Sequence, residues 1–270
     1  MGHIRQRTID SIKEIIVGRG ASMLPLWLYF LAITSAELLT VYLDPLVGVV
    51  CHGMILVALL IQSAFVADSE RRNLILGLSL VPLIRILSMA MPLVQLTQIY
   101  WYPIIYAPLL VATLAMMRVV KLKPSDIGLV CHDLLTQIII GISSGLVYGI
   151  MEYIILRPNP LVTDFTLQQL GFPAVVLLIT TGLVEEIMFR GVLQRLAEPV
   201  MGFWQGAIYI SLIFAILHVG FFSAVDIIFV LIVALSFAYT VKQTRSLIGV
   251  ILAHGIANIL LYLVMPFMLR

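Results

Sequence analysis

The chain has 270 residues, of which 61% are hydrophobic and only 11% charged, and its formal net charge is +2. With a mean hydropathy of +1.11 it cannot be a soluble globular domain, and its long apolar stretches are those of a polytopic membrane protein. So small a net charge, with basic residues scattered between apolar runs, also excludes a nucleic-acid partner.

Residues 3–19 set Ile9, Ile12 and Ile16 on one helical face with Arg5, Arg7, Lys13 and Arg19 around them, which predicts a short helix lying on the membrane surface. The basic N-terminus is followed by no small-residue cleavage site, so no removed signal is expected. The start lacks the Ser or Thr that myristoylation requires, so no lipid anchor is expected either.

Apolar runs follow at about 23–43, 46–67, 74–94, 100–118, 135–155, 171–196, 204–222, 226–241 and 247–267. Roughly 20 residues cross a bilayer core, so the chain reads as an all-α transmembrane bundle of eight to nine spans, eight if one is re-entrant. Counting nine from an inner N-terminus puts Arg71, Arg72, Arg118, Lys121, Lys123, Arg195, Lys242 and Arg245 on the inner side with the N-terminal cluster. Only Arg157 and Arg270 fall outside, a bias that predicts a cytoplasmic N-terminus; a cell-membrane location is the matching expectation. A soft boundary near residue 130 divides residues 1–130, the surface helix and about four spans, from residues 131–270.

Cys51 and Cys131 have no ligand-like spacing and read as small residues tolerated in apolar surroundings. Gly141, Gly145 and Gly149 form a double G-x-x-x-G that lets another helix approach, within the chain or from a second protomer. Glu37 and Arg85 are isolated charges at similar depth in the first and third spans, which predicts a buried pair that His52 could join.

Three polar clusters interrupt three spans in the last third: Glu185, Glu186 and Arg190; His218, in F-A-I-L-H; and His254 with Asn258, in H-G-I-A-N. On an α-helix Glu186 and Arg190 share a face and compensate one another, while Glu185 points about 100° away and needs another partner. Intramembrane ionisable groups face the protein interior and partner one another. A carboxylate and an imidazole around one water can take its proton, and a second imidazole with an amide can stabilise an oxyanion. Neither Ser nor Cys accompanies them in a nucleophile motif, so water is the expected attacking group.

This set, E-E-x-x-x-R, F-x-x-x-H and H-x-x-x-N in that order on three spans, resembles the CPBP intramembrane proteases, the CAAX-protease and bacteriocin-processing family that includes the Rce1-type prenyl-protein endopeptidases. The resemblance covers about residues 170–265, so residues 131–270 would be the protease core, centred on the last four helices. It implies that Glu185 is the general base, working with His218, that His254 and Asn258 line the oxyanion site, and that Glu186, held by Arg190, supports them. Glu185, His218 and His254 would also be the ligands of a catalytic zinc, the family's older reading; the metal-free, glutamate-type site is preferred here.

The substrate would be a peptide or membrane-protein segment, prenylated or not, reached within the bilayer. The rival reading is a non-enzymatic transporter or regulatory scaffold with a structural polar core. Nothing in the sequence decides the oligomeric state. Counted along straight helices, Glu185, His218 and His254 lie about 16, 21 and 10 Å from their inner span ends, a mismatch that tilt or shifted boundaries must absorb.

Overall fold

The structure is a computed structural model, and it describes residues 23–90 and 95–269. The predicted surface helix at 3–19 lies outside the described residues. Among those described there is no strand, and nine helices are long and apolar enough to cross a membrane. They are α1 Met23–Tyr42, α2 Pro45–Phe65, α3 Ser69–Met89, α4 Gln98–Val119, α5 Leu134–Leu156, α6 Leu167–Met201, α7 Phe203–Phe221, α8 Ala224–Thr244 and α9 Ile248–Met268. The nine predicted runs thus appear as nine helices. The connections are tight because capping and turn residues stand at the breaks: Asp44 accepts from the N–H groups of Leu46 and Val47, Asp68 from that of Arg71, and Ser223 from that of Asp226.

The outer surfaces of these helices carry exposed leucine, isoleucine, valine and phenylalanine, as hydrocarbon contact requires. Burial is concentrated in α6: two thirds of its apolar window is buried inside the protein, against 17% for α4 and 22% for α5. Helix α6 is therefore the axis around which the others stand.

Helix α5 lies along α9 through its glycines. A Cβ built at Gly141 would stand 2.5 Å from Leu252 Cβ, at Gly145 2.7 Å from Ile256 Cβ, and at Gly149 2.8 Å from the Ala257 carbonyl. The small-residue stripe thus serves packing within the chain. Helices α6 and α9 meet as closely, since a Cβ at Gly182 would lie 2.8 Å from the Ile251 carbonyl and 3.1 Å from Gly255 Cα. Without a strong hydrophobic force between helices in lipid, such backbone approach is what holds them together.

The predicted pair forms across α1 and α3. Arg85 donates from Nε to Glu37 Oε1 at 2.9 Å and from Nη2 to Oε2 at 2.6 Å. His52 Nε2 on α2 lies 3.2 Å from Glu37 Oε1, so it does join the pair. The same Arg85 Nη2 donates to the Leu217 carbonyl on α7 at 2.9 Å, tying the first three helices to the residue before His218.

Two outcomes test this packing. Gly145→Val should overpack the α5–α9 contact and lower stability by about 1–3 kcal/mol, read by thermal unfolding in detergent. Glu37→Ala should cost about 3–5 kcal/mol in the natural background and much less in Arg85→Ala, because the first change strands a buried cation and the second has already removed it.

Candidate active site

The π-helical geometry of α6 sets the site. It leaves the α-helical pattern at Leu178 and runs as π-helix over Leu178–Glu185 and again over Ile187–Leu193, regaining it at Gln194. Such widened turns are rare and recur at functional sites. Thr180 and Thr181 donate from their hydroxyls to the carbonyls of Val176 and Leu177, at 2.7 and 2.6 Å, just before the glutamates.

Glu185 is 8% exposed and Glu186 fully buried. Arg190 Nη1 donates to Glu186 Oε1 at 3.1 Å, and the guanidinium carbon lies 4.3 Å from the Phe214 ring centroid and 5.6 Å from that of Phe237. An ion pair and aromatic faces thus hold the cation where water cannot. The same Glu186 Oε1 receives His254 Nδ1–H at 2.7 Å, so one carboxylate oxygen joins α6 to α9. The sequence expectation for Glu186 and Arg190 is met, with His254 as an added partner.

Glu185 faces the other way. Its Oε1 accepts a short hydrogen bond from the Tyr106 hydroxyl on α4, and its Oε2 lies 4.0 Å from His254 Nε2. Both His254 nitrogens therefore face glutamates, Nδ1 toward Glu186 and Nε2 toward Glu185. His218, at the end of α7, donates from Nδ1 to the Phe214 carbonyl at 2.9 Å. That carbonyl can only accept, so the neutral ring keeps its lone pair on Nε2.

Glu185, His218, His254 and Asn258 line one cavity of about 230 Å³, together with Tyr102, Tyr106, Glu152 and Tyr262. Within it, the direct partners of Glu185 are Tyr106 and His254, and no hydrogen bond joins it to His218. The mismatch in depth along straight helices dissolves for two reasons. Helix α6 continues to Met201, which places Glu185 about 24 Å from its inner end, close to the about 22 Å of His218. Helix α9 starts inside the protein: Ser246 and Leu247 are fully buried, and Leu247 N–H donates to the Gly128 carbonyl at 2.8 Å.

Among the described residues, no group of three His, Cys, Asp or Glu side chains is gathered closely enough to hold a metal. The suggested zinc set Glu185, His218 and His254 is not such a group, although each imidazole gives Nδ1–H to an oxygen and leaves Nε2 open, as metal-ligating histidines do.

Tyr106 and Glu152 are site residues that the motif reading misses. Their signal was present as polar groups inside otherwise apolar spans, Tyr106 paired with Tyr102 at i, i+4, but neither belongs to a recognisable pattern.

Arg190→Met should leave Glu186 as a buried, uncompensated charge and cost about 3–5 kcal/mol, whereas Arg190→Met combined with Glu186→Gln should recover much of that loss, measured by thermal unfolding of the purified protein.

Residues 167–260 match the family model described as "Type II CAAX prenyl endopeptidase Rce1-like". No curated protein and no solved structure matches the chain. The matched region spans α6 and α7 and reaches to the end of the His254–Asn258 cluster.

Proposed function

We propose that the chain, whose residues 167–260 match the Rce1-like endopeptidase model, is a protease of the CPBP family that hydrolyses a peptide bond inside the membrane with a water molecule activated by Glu185 and His218. The observation that carries this reading is the convergence of Glu185, His218, His254 and Asn258, from three helices, on one cavity. A structural polar network would satisfy these groups against each other and leave no room between them.

In the proposed reaction the scissile carbonyl enters between these walls. His218, its Nδ1 proton held by Phe214, offers Nε2 to a water. Glu185, oriented by Tyr106, takes the proton as the water oxygen attacks the carbonyl carbon. The oxyanion faces Asn258 and the Nε2–H of His254, which serves as a donor in the imidazolium form held between Glu185 and Glu186; the two residues share a face of α9 at i, i+4. Collapse of the tetrahedral intermediate breaks the C–N bond, and the proton held by Glu185 passes to the leaving amine. Water is consumed and no covalent enzyme intermediate forms. Glu186 and Arg190 take no part in proton transfer: they fix the His254 ring through Nδ1.

The chemistry needs no metal in this reading, which is supported by the spacing of Glu185, His218 and His254: they are not gathered closely enough to share one. The substrate is a peptide or membrane-protein segment. The bias of basic residues supports a cytoplasmic N-terminus in the cell membrane.

Glu185→Ala and His218→Ala should each abolish cleavage while the protein still elutes as a folded species. Tyr106→Phe should lower kcat by about tenfold or more with little change in KM, because it frees the base without touching the substrate. If purified wild type cleaves nothing that the Glu185→Ala protein does not, the protease reading is wrong. Full activity after exhaustive chelation, with zinc absent by elemental analysis, is the expected result; strict reactivation by zinc would overturn the metal-free mechanism.

A further inference from the structure

The cavity has a charge pattern that the proposed reaction does not use. Glu152, on α5, lines it, and among the described residues Glu152 makes no hydrogen bond or ion pair. Asp226, in the first turn of α8, is fully buried and both its carboxylate oxygens lack a hydrogen-bond partner. Asp226 stands at the head of a stripe continuing through Val230, Val233 and Phe237, and these three side chains all line the cavity; at i, i+4, i+7 and i+11 the four share one helix face. Asp226 and Glu152 are also close enough to interact electrostatically. A second acid therefore stands behind the wall to which Glu152 belongs.

Two neighbouring carboxyl groups in a low-dielectric site ionise together only when a cation meets them. The protein's own cations near the cavity are already engaged. Arg85 lines it but is held by Glu37 and by the Leu217 carbonyl. Arg190 is bound to Glu186, and His254 stands between Glu185 and Glu186. No free cation remains on this wall, among the described residues, to receive a C-terminal carboxylate, and the ionisable groups left there without a counter-ion are acids.

We propose that Glu152, backed by Asp226, is a recognition subsite for a cationic group of the substrate, an ammonium or guanidinium, and that it determines which peptides the cavity accepts. The inference rests on the protease reading for the word substrate, but the subsite is a binding property that can be measured without catalysis. Glu152 supplies the direct contact. Asp226 acts through its field, and Tyr262, which interacts electrostatically with both acids, contributes a hydroxyl to the same wall. A basic segment would therefore enter more readily than a peptide ending in a free carboxylate.

The test uses the full chain carrying Glu185→Ala, in a neutral detergent, with fluorescein-labelled apolar peptides amidated at the C-terminus. One peptide is N-acetylated with a single central Lys, a second has Gln in its place, and a third has Gln and a free N-terminus. The Lys peptide should bind about tenfold or more tightly than the acetylated Gln peptide, as expected for a charged hydrogen bond in a dry site. Adding Glu152→Gln or Asp226→Asn should bring that ratio below about threefold, and Glu152→Asp should restore most of it. Tight binding of the third peptide would support the same cation site and identify a terminal ammonium as a source alongside a side chain. Equal binding of all three peptides overturns the subsite, as does a Lys preference that survives Glu152→Gln. A Lys preference without any Glu185-dependent cleavage in the wild type would keep the subsite and refute the protease.

Discussion

The structure depends on the hydrogen bond and ion pair that converge on one oxygen of Glu186. Arg190 and His254 both reach Glu186 Oε1, at 3.1 and 2.7 Å, and through them a charge that the bilayer would reject becomes the joint between α6 and α9. An ionised group at mid-membrane costs several kcal/mol unless it is paired. Pairing it within one helix lets the helix enter the membrane, and pairing it with a second helix fixes which neighbour stands beside it. The backbone makes that second pairing possible, because Gly182 and Gly255 let α6 and α9 approach within distances that any side chain would forbid. Small residues and buried charge are thus two halves of one constraint. The glycines bring the helices together, and the shared oxygen sets their register.

Once Glu186 is occupied, the role of Glu185 follows. Adjacent side chains on a helix point in different directions, so Glu185 turns away from Arg190 toward Tyr106 and the other edge of His254. The π-helical stretch matters here. A widened turn changes the angle between neighbouring side chains relative to an α-helix and rotates later positions on the same helix. Glu185 ends one π segment and Ile187 begins the next, so the pair of glutamates sits at the point where the helix winding is adjusted.

Much of this was legible in the sequence because membrane proteins advertise both their helices and their exceptions. Nine apolar runs became nine helices with shifts of a few residues at most ends, since length and hydropathy alone decide what crosses a bilayer. The partnership of Glu37 with Arg85 could be read from depth, since two lone opposite charges at one level have few other options. What stayed hidden was geometry that does not depend on residue type. An α-helical wheel places Glu185 by 100° steps, whereas α6 is π-helical there, so the wheel did not point to Tyr106. The inward start of α9 was equally invisible, because it is fixed by a long-range hydrogen bond from Leu247 to Gly128 rather than by local composition.

The first four helices, which lie outside the matched family region, contribute directly to the site. Tyr106 on α4 holds Glu185, and Arg85 on α3 holds the carbonyl of Leu217, next to His218. The second contact is the more consequential. Residues 217 and 218 lie where α7 gives way to a 3₁₀ turn over Val219–Phe221, and a helix end has carbonyls that need donors. By supplying one, Arg85 stabilises the end of α7 in the conformation that presents His218. Arg85 can do so because Glu37 neutralises and orients it, with His52 Nε2 3.2 Å from the same carboxylate. A charge network in the N-terminal helices therefore positions an imidazole in the C-terminal ones, so the matched region, which begins at residue 167, does not build the site alone.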